Sequence, residues 1–146
     1  MKILVSACLT GDNCKYNGGN NLNQKLVDFL KAHDVVKVCP EVLGGLPTPR
    51  TPAEIQKGQV INREGKNVTK EFERGAQRAF ESVQKEKPDL IILQSRSPSC
   101  GIKQIYDGTF SGRKIDGQGL FAALCIKSGC KVLDIEDLDE YLRIEK

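Results

Sequence analysis

The sequence contains a single histidine, His33, and this scarcity narrows the chemistry available to the chain. Ser-His-Asp and Cys-His catalysis need an imidazole beside the nucleophile, and histidine-rich metal sites need several. Only His33 can supply one. Any chemistry must therefore depend on cysteines, carboxylates, hydroxyl groups and the backbone.

Long apolar runs and stretches of one charge are also absent. No segment approaches the roughly 18 apolar residues that a transmembrane helix needs, and the apolar start at residues 3–5 is too short for a signal peptide. The 22 Lys and Arg residues and 19 Asp and Glu residues are scattered along the chain. The sequence thus predicts a cytoplasmic protein without a membrane partner and gives no indication of a nucleic-acid partner. It leaves the oligomeric state open, a homodimer included.

The size and the hydrophobic pattern indicate one α/β domain. A chain of 146 residues that is 39% hydrophobic buries a core without cross-links, so we expect a single domain over 1–146. Strands alternate with helices, which predicts a single-domain three-layer sandwich with a small parallel sheet, Rossmann-like or flavodoxin-like. The predicted strands are 2–7, 35–38, 90–93 and 132–133, and the predicted helices are 22–32, 68–85, 117–127 and 137–143.

Two segments do not fit this alternation. Residues 40–52 contain four prolines and two glycines, which predicts an ordered loop or irregular crossover. The Asp107-Gly108 pair predicts a tight turn, typical of a hairpin.

Three of the six cysteines fall just after predicted strands. Cys8 follows the first strand, Cys39 the second, and Cys100 lies in the loop after the third. Structural disulfides are not expected in the reducing cytosol. Because the carboxyl ends of parallel strands share one edge, where α/β sheets bind ligands, we expect these three thiols to lie close together.

The surroundings of these cysteines distinguish ligands from core residues. A lone cysteine at a strand end is more often a small buried hydrophobe, but prolines, hydroxyls and glycines around a thiol are typical of a ligand loop. Cys125 and Cys130 lack that setting and are interpreted as structural. Cys14 is compatible with a fourth ligand, a redox partner or a bystander, and the bystander is favoured.

Thiolates without histidine suit zinc or an iron–sulfur cluster. Structural zinc sites usually gather cysteines in close-spaced pairs, and the sequence has no C-x-x-C pair. Three thiolates leave one metal position open for a substrate. Two alternatives remain: a non-catalytic carrier of zinc, an iron–sulfur cluster or sulfur, and a metal-free enzyme with Cys100 as its nucleophile.

Several blocks of the sequence resemble domain-of-unknown-function family 523, over nearly the whole chain. The matching blocks are Ser6-Ala7-Cys8-Leu9 with Tyr16-Asn17-Gly18, Cys39-Pro40-Glu41, residues 44–50, Pro52-Ala53-Glu54-Ile55, residues 97–101 and residues 105–112. That family includes the 2-thiouracil desulfidases, which bind a 4Fe–4S cluster through three cysteines. The resemblance implies a 4Fe–4S enzyme that removes sulfur from a small thiolated heterocycle.

Carried over by motif, the resemblance implies Cys8, Cys39 and Cys100 as cluster ligands and Glu41 and Ser97 as catalytic residues. In this hypothesis Glu41 activates water to attack the C=S carbon and Ser97 relays a proton, without net electron transfer. The chain departs from the family at two positions. Gln94 replaces a frequent lysine and Asn67 a usual aspartate.

Each further site residue also has a structural alternative. Arg50, Ser99 and Tyr106 are candidate substrate-binding residues. Glu41 and Arg50 also suit a simple ion pair that braces the Pro-rich loop. Ser97 before a proline suits a turn. Tyr106, Asp107 and Phe110 suit either the wall of a pocket for a planar ring or an ordinary hairpin bordering the pocket, and the hairpin is favoured.

Overall fold

A four-stranded parallel sheet forms the centre of the structure, a computed structural model that describes residues 1–144. The last two residues of the predicted domain 1–146 lie outside the described residues. The strands are β1 (Lys2–Ser6), β2 (Asp34–Val38), β3 (Ala53–Gln56), β4 (Gln59–Asn62), β5 (Leu90–Leu93), β6 (Gln104–Tyr106), β7 (Lys114–Asp116) and β8 (Val132–Asp134). The helices are α1 (Gln24–Leu30), α2 (Pro40–Leu43), α3 (Thr69–Glu86), α4 (Leu120–Lys127) and α5 (Leu138–Ile144).

The order of the sheet is β2-β1-β5-β8, with all neighbours parallel. Side chains alternate between its two faces, as strand geometry requires. Leu4, Ile91 and Leu93 pack on one face under α3 and α4, and Ile3 and Val5 pack on the other against α1 and α5. The prediction of a three-layer α/β fold with a small parallel sheet is confirmed.

Each predicted strand and helix is present, with ends that shift by a few residues. Helix α3 begins at Thr69, and the Asn67 carboxamide oxygen accepts the Thr69 N–H at 2.9 Å. The departure from the family's aspartate therefore retains a side-chain acceptor for the first N–H of the helix. Among residues 1–144, no helix has both the length and the apolarity to cross a bilayer.

Residues 40–52 were predicted to contain no regular structure, and this is wrong for the first four. Pro40 begins α2, because a proline fits the first position of a helix, where its missing N–H is not needed. The β3–β4 hairpin was not predicted. Its turn, Lys57-Gly58, has positive φ at both residues, as in two-residue hairpin turns.

The hairpin at Asp107-Gly108 is confirmed, but its connection is longer than a tight turn. Strands β6 and β7 pair antiparallel, with Tyr106 opposite Lys114, and residues 107–113 form the loop between them. A seven-residue span between paired ends is long enough to project away from the hairpin and contact another element.

Two glycines bring α2 against α3. A Cβ at Gly75 would collide with the carbonyl oxygen of Pro40, and one at Gly44 would collide with the carbonyl oxygen of Glu71. The two backbones therefore approach more closely than side chains permit. This contact places the start of α2, which follows Cys39, against the 18-residue helix α3.

Replacing Gly75 with alanine is expected to lower the free energy of unfolding by about 1–3 kcal/mol, because the added methyl forces α2 away from α3. The measurement is urea unfolding followed by circular dichroism. Gln77→Ala, on the exposed face of the same helix, is the control and is expected to change stability little. Equal stability of Gly75→Ala and Gln77→Ala would contradict this account of the α2–α3 contact.

Candidate metal and substrate site

A cavity of about 430 Å³ opens at the carboxyl edge of the sheet. It lies between β1 and β5, where the strand order reverses. The chain adds β2 on one side of β1 and later adds β5 on the other side. Open α/β sheets bind ligands at such points. Cys8, Cys39 and Cys100 all line this cavity.

Each of the three thiols is held by a different local structure. Cys8 lies in the 3-10 turn Ala7–Thr10 directly after β1, and its sulfur accepts the Asn21 side-chain N–H at 3.4 Å. Cys39 joins β2 to α2. Cys100 is only 5% exposed, in the loop after β5. Three segments that are remote in sequence thus supply sulfur to one cavity.

The environment of the thiols affects their protonation in opposite directions. Burial raises the pKa of the Cys8 thiol and raises the pKa of the Cys100 thiol well above its usual range. A hydrogen bond from the Cys14 thiol lowers the pKa of Cys39. A metal-free nucleophile needs a lowered pKa, so the environment of Cys100 does not favour that alternative.

Cys14 lies in the wall of the same cavity, against Cys39. Its carbonyl oxygen is 3.8 Å from the Cys39 sulfur and also accepts an N–H of Arg50 at 2.8 Å. The sequence favoured a bystander, and the structure instead brings this residue into contact with a candidate ligand.

Glu41 and Arg50 form a buried ion pair at the cavity. The Arg50 Nε–H donates to Glu41 Oε1 at 3.0 Å, and the two side chains are 7% and 16% exposed. Arg50 also donates to Pro47, Thr48 and Cys14. Most of its N–H groups are thus used inside the protein, which favours bracing of the Pro-rich loop over binding of substrate oxygen.

Ser99 lies behind Glu41 and not in the cavity wall. It is 1% exposed, and its hydroxyl donates to Glu41 Oε2 at 3.3 Å. The structure therefore does not bring this candidate substrate-binding residue to the cavity. It makes Ser99 a second support of the Glu41 carboxylate, opposite Arg50.

Ser97 lines the cavity and organises the loop that carries Cys100. Its hydroxyl oxygen accepts the N–H groups of Ser99 and Cys100, both at 3.0 Å. This is the turn geometry considered in the sequence analysis. A hydroxyl oxygen that accepts two bonds still has its hydrogen to donate, so the same residue can serve the loop and a bound molecule.

The remaining candidates and several unpredicted residues complete the cavity. Tyr106 and Gln94 both line it. Sequence reasoning gave no role to Glu54 or Arg63, which also line it. For Phe110 it favoured a simple hairpin over the wall of a planar-ring pocket, and the structure places Phe110 in the loop of the hairpin and in the lining of the cavity. Glu54 and Phe110 lie in two of the sequence blocks that resemble family 523, residues 52–55 and 105–112, and this was the one indication of a functional role.

The donor set fits a cluster better than a single ion. Among residues 1–144, no three His, Cys, Asp or Glu side chains are close enough to bind one metal ion. In an iron–sulfur cluster each thiolate binds a different iron, so the sulfurs surround the group at its corners instead of converging on a point. Cys8, Cys39 and Cys100 line one large cavity that no histidine lines, and this arrangement fits a cluster better than a single ion.

Comparisons with known proteins identify relatives that match nearly the whole chain. A family model described as 2-thiouracil desulfurase matches residues 3–137. The uncharacterized protein YbbK of Bacillus subtilis (strain 168) is 38% identical over 150 residues, which cover 96% of this chain and 99% of that protein. The solved structure of the 4Fe–4S-dependent thiouracil desulfidase TudS is 39% identical, with a TM-score of 0.89. That match covers 99% of this chain and 97% of TudS.

Proposed function

This chain belongs to the 2-thiouracil desulfurase family, and from that premise we propose that it is a 4Fe–4S-dependent desulfidase. It converts the C=S group of a thiolated pyrimidine such as 2-thiouracil to C=O and releases sulfide. Water supplies the oxygen and two hydrogens leave with the sulfur, so no electrons are gained or lost. The observation that carries the proposal is the lining of one cavity by thiols from three separate strand ends.

Cys8, Cys39 and Cys100 are the proposed ligands. Asn21 donates to the sulfur of Cys8 at 3.4 Å. Such hydrogen bonds stabilise negative charge on ligand sulfurs. When bound, a cluster with three thiolate ligands supplies an iron with an open position, a Lewis acid for the sulfur of the substrate.

Glu41 is the proposed general base. Arg50 and Ser99 each hold one of its oxygens, which fixes the carboxylate at the cavity wall. Each carboxylate oxygen accepts more than one hydrogen bond, so acceptor positions remain for a water molecule. The ion pair considered as an alternative to catalysis thus serves as the support of the base.

Ser97 is the proposed proton donor to the substrate ring. Its oxygen is held by two backbone N–H groups, which orients the hydroxyl at the cavity wall. A fixed donor can assist the developing charge on a ring nitrogen or oxygen as water attacks. Tyr106 contributes to the wall around the ring, and Arg50 acts through Glu41 more than on substrate.

The remaining predictions describe the setting of the enzyme. We propose that residues 1–146 work as one desulfidase domain in the cytoplasm, where its thiols stay reduced. All six cysteines are unpaired in the structure. The predicted partner is a small thiolated heterocycle. No membrane partner is predicted, and the sequence gives no direct evidence for a nucleic-acid partner. A homodimer is compatible with this function.

The proposed function predicts a brown protein that makes sulfide. Protein purified without oxygen and reconstituted with iron and sulfide is expected to absorb broadly at about 400 nm. With 2-thiouracil it should release sulfide and uracil in equal amounts, and with uracil it should release no sulfide. A colourless zinc protein without turnover would support the carrier alternative, and metal-free protein with turnover would support the nucleophile.

A further inference from the structure

The loop between β6 and β7 reaches the cavity through contacts with a distant strand. Residues 107–113 are named the Phe110 loop here. Phe110 lines the cavity and is half-buried, so part of its ring faces the open space. The mechanism proposed above does not use this side chain.

Glu54 of β3 binds the Phe110 loop through two hydrogen bonds. One carboxylate oxygen, Oε1, accepts the Gly108 N–H at 3.0 Å and the Phe110 N–H at 3.1 Å. Hydrogen bonds from N–H groups to a carboxylate are stronger than those between neutral groups. A single side chain thus fixes two points of the loop that carries Phe110.

The loop approaches β3 too closely for an ordinary residue at its contact point. A Cβ at Gly108 would lie 2.8 Å from the carbonyl oxygen of Ile55 and 2.6 Å from Cγ of Gln56. The Gln56 side chain also donates to the carbonyl oxygen of Gly108. Glycine at this position, with φ +94°, permits the close approach of the Phe110 loop to β3.

Phe110 itself has a costly backbone conformation. Its φ is +57°, the left-handed region that bulky residues rarely adopt. Such conformations persist only where surrounding contacts enforce them, and they concentrate at functional sites. The Arg63 guanidinium lies 5.6 Å from the ring centroid, a cation–π contact that also restrains the ring.

We propose that Phe110 contacts the planar ring of the thiolated pyrimidine and that Glu54 is the positioning residue that presents Phe110 to it. The inference rests on the proposed function, because the substrate ring is the ligand. Pyrimidine rings stack on aromatic side chains, and this contact contributes to affinity without regard to the exact substituents. Glu54 acts as a hydrogen-bond acceptor for the loop, a role that does not require its charge.

A fluorescence measurement tests the contact without turnover. The sequence contains no tryptophan, so Phe110→Trp introduces a single reporter at the cavity. Its emission is expected to change saturably when uracil, the product, is added to the cluster-loaded protein. The combination Phe110→Trp with Glu54→Ala is expected to lose this response, and the combination with Glu54→Gln should keep it. If the emission of the Phe110→Trp variant does not change when uracil is added, the proposal is overturned.

Kinetics test the positioning role separately. Glu54→Ala and Phe110→Ala are each expected to raise the KM for 2-thiouracil about tenfold with kcat changed less than twofold. The double variant should resemble either single variant, because both remove the same contact. Glu54→Gln should stay near wild type, since an amide oxygen also accepts two N–H groups. The exposed Glu73→Ala is the control for loss of a carboxylate.

The outcomes separate this inference from the proposed function. Wild-type protein that binds a cluster but releases no sulfide would refute the proposed function. Wild-type protein that releases sulfide, with Glu54→Ala matching it in KM, would refute the positioning role alone. A Glu54→Gln variant as impaired as Glu54→Ala would also refute it, because the charge would then be needed for chemistry.

Discussion

Replacing Cys100 with serine is expected to give a colourless protein that releases no sulfide from 2-thiouracil. A serine hydroxyl keeps its proton near neutral pH and is a poor ligand for iron beside thiolates. Cys100 is 5% exposed, so solvent water does not easily reach its position. The measurements are iron per chain after anaerobic reconstitution, absorption at about 400 nm and sulfide released.

Cys130→Ser is the matched control for this prediction. Cys130 is also a free cysteine and half-buried, but it precedes β8 and does not line the cavity. We expect this variant to keep the colour, the iron content and the turnover of the wild type. A brown and active Cys100→Ser protein would show that the cluster does not use this thiol.

Replacing Glu41 with glutamine is expected to leave a brown protein whose kcat falls at least about a hundredfold. The amide cannot take a proton from water, so the attack on the C=S carbon loses its base. Glu41 is not a proposed ligand, so iron per chain should match the wild type. Turnover is measured as sulfide and uracil formed under anaerobic conditions.

The control for Glu41 lies in the same cavity. Glu54→Gln removes one carboxylate charge from the cavity wall and is expected to preserve kcat, because Glu54 only accepts hydrogen bonds from the Phe110 loop. Thermal unfolding of both variants monitors the fold, since Glu41→Gln leaves the buried Arg50 without its counter-charge. A Glu41→Gln protein with wild-type kcat would remove this residue from the mechanism.

The candidate site contains pairs of contacting side chains, and the sequence predicts only some of these contacts. The pairing of Glu41 with Arg50 was foreseeable, since both lie in the short segment 40–52. The support from Ser99 was not, because Ser99 lies 58 positions further along and meets Glu41 only when the segments after β2 and β5, two strands that β1 separates in the sheet, fold together. The contact of Cys14 with Cys39 likewise requires the loop after β1 to fold over the end of β2.

The contacts of the Phe110 loop are even harder to predict from the sequence. Tyr106-Asp107-Gly108 indicated a turn, and the antiparallel pairing of β6 and β7 bears this out. Nothing local indicated that Glu54 would bind two N–H groups of that turn. Hydrogen bonds between irregular segments follow from their packing, which no periodicity encodes.

The sequence by itself determined the sheet, the alternation of strands and helices, and the edge at which three cysteines emerge. These follow from local hydrophobic periodicity and from the rule that parallel strands with right-handed crossovers end at one edge. Tertiary structure alone decided which side chains support Glu41, where Cys14 lies and how Phe110 reaches the cavity. Those contacts join segments that are remote along the chain, so their free energy depends on close packing in three dimensions and leaves no periodic trace in the sequence.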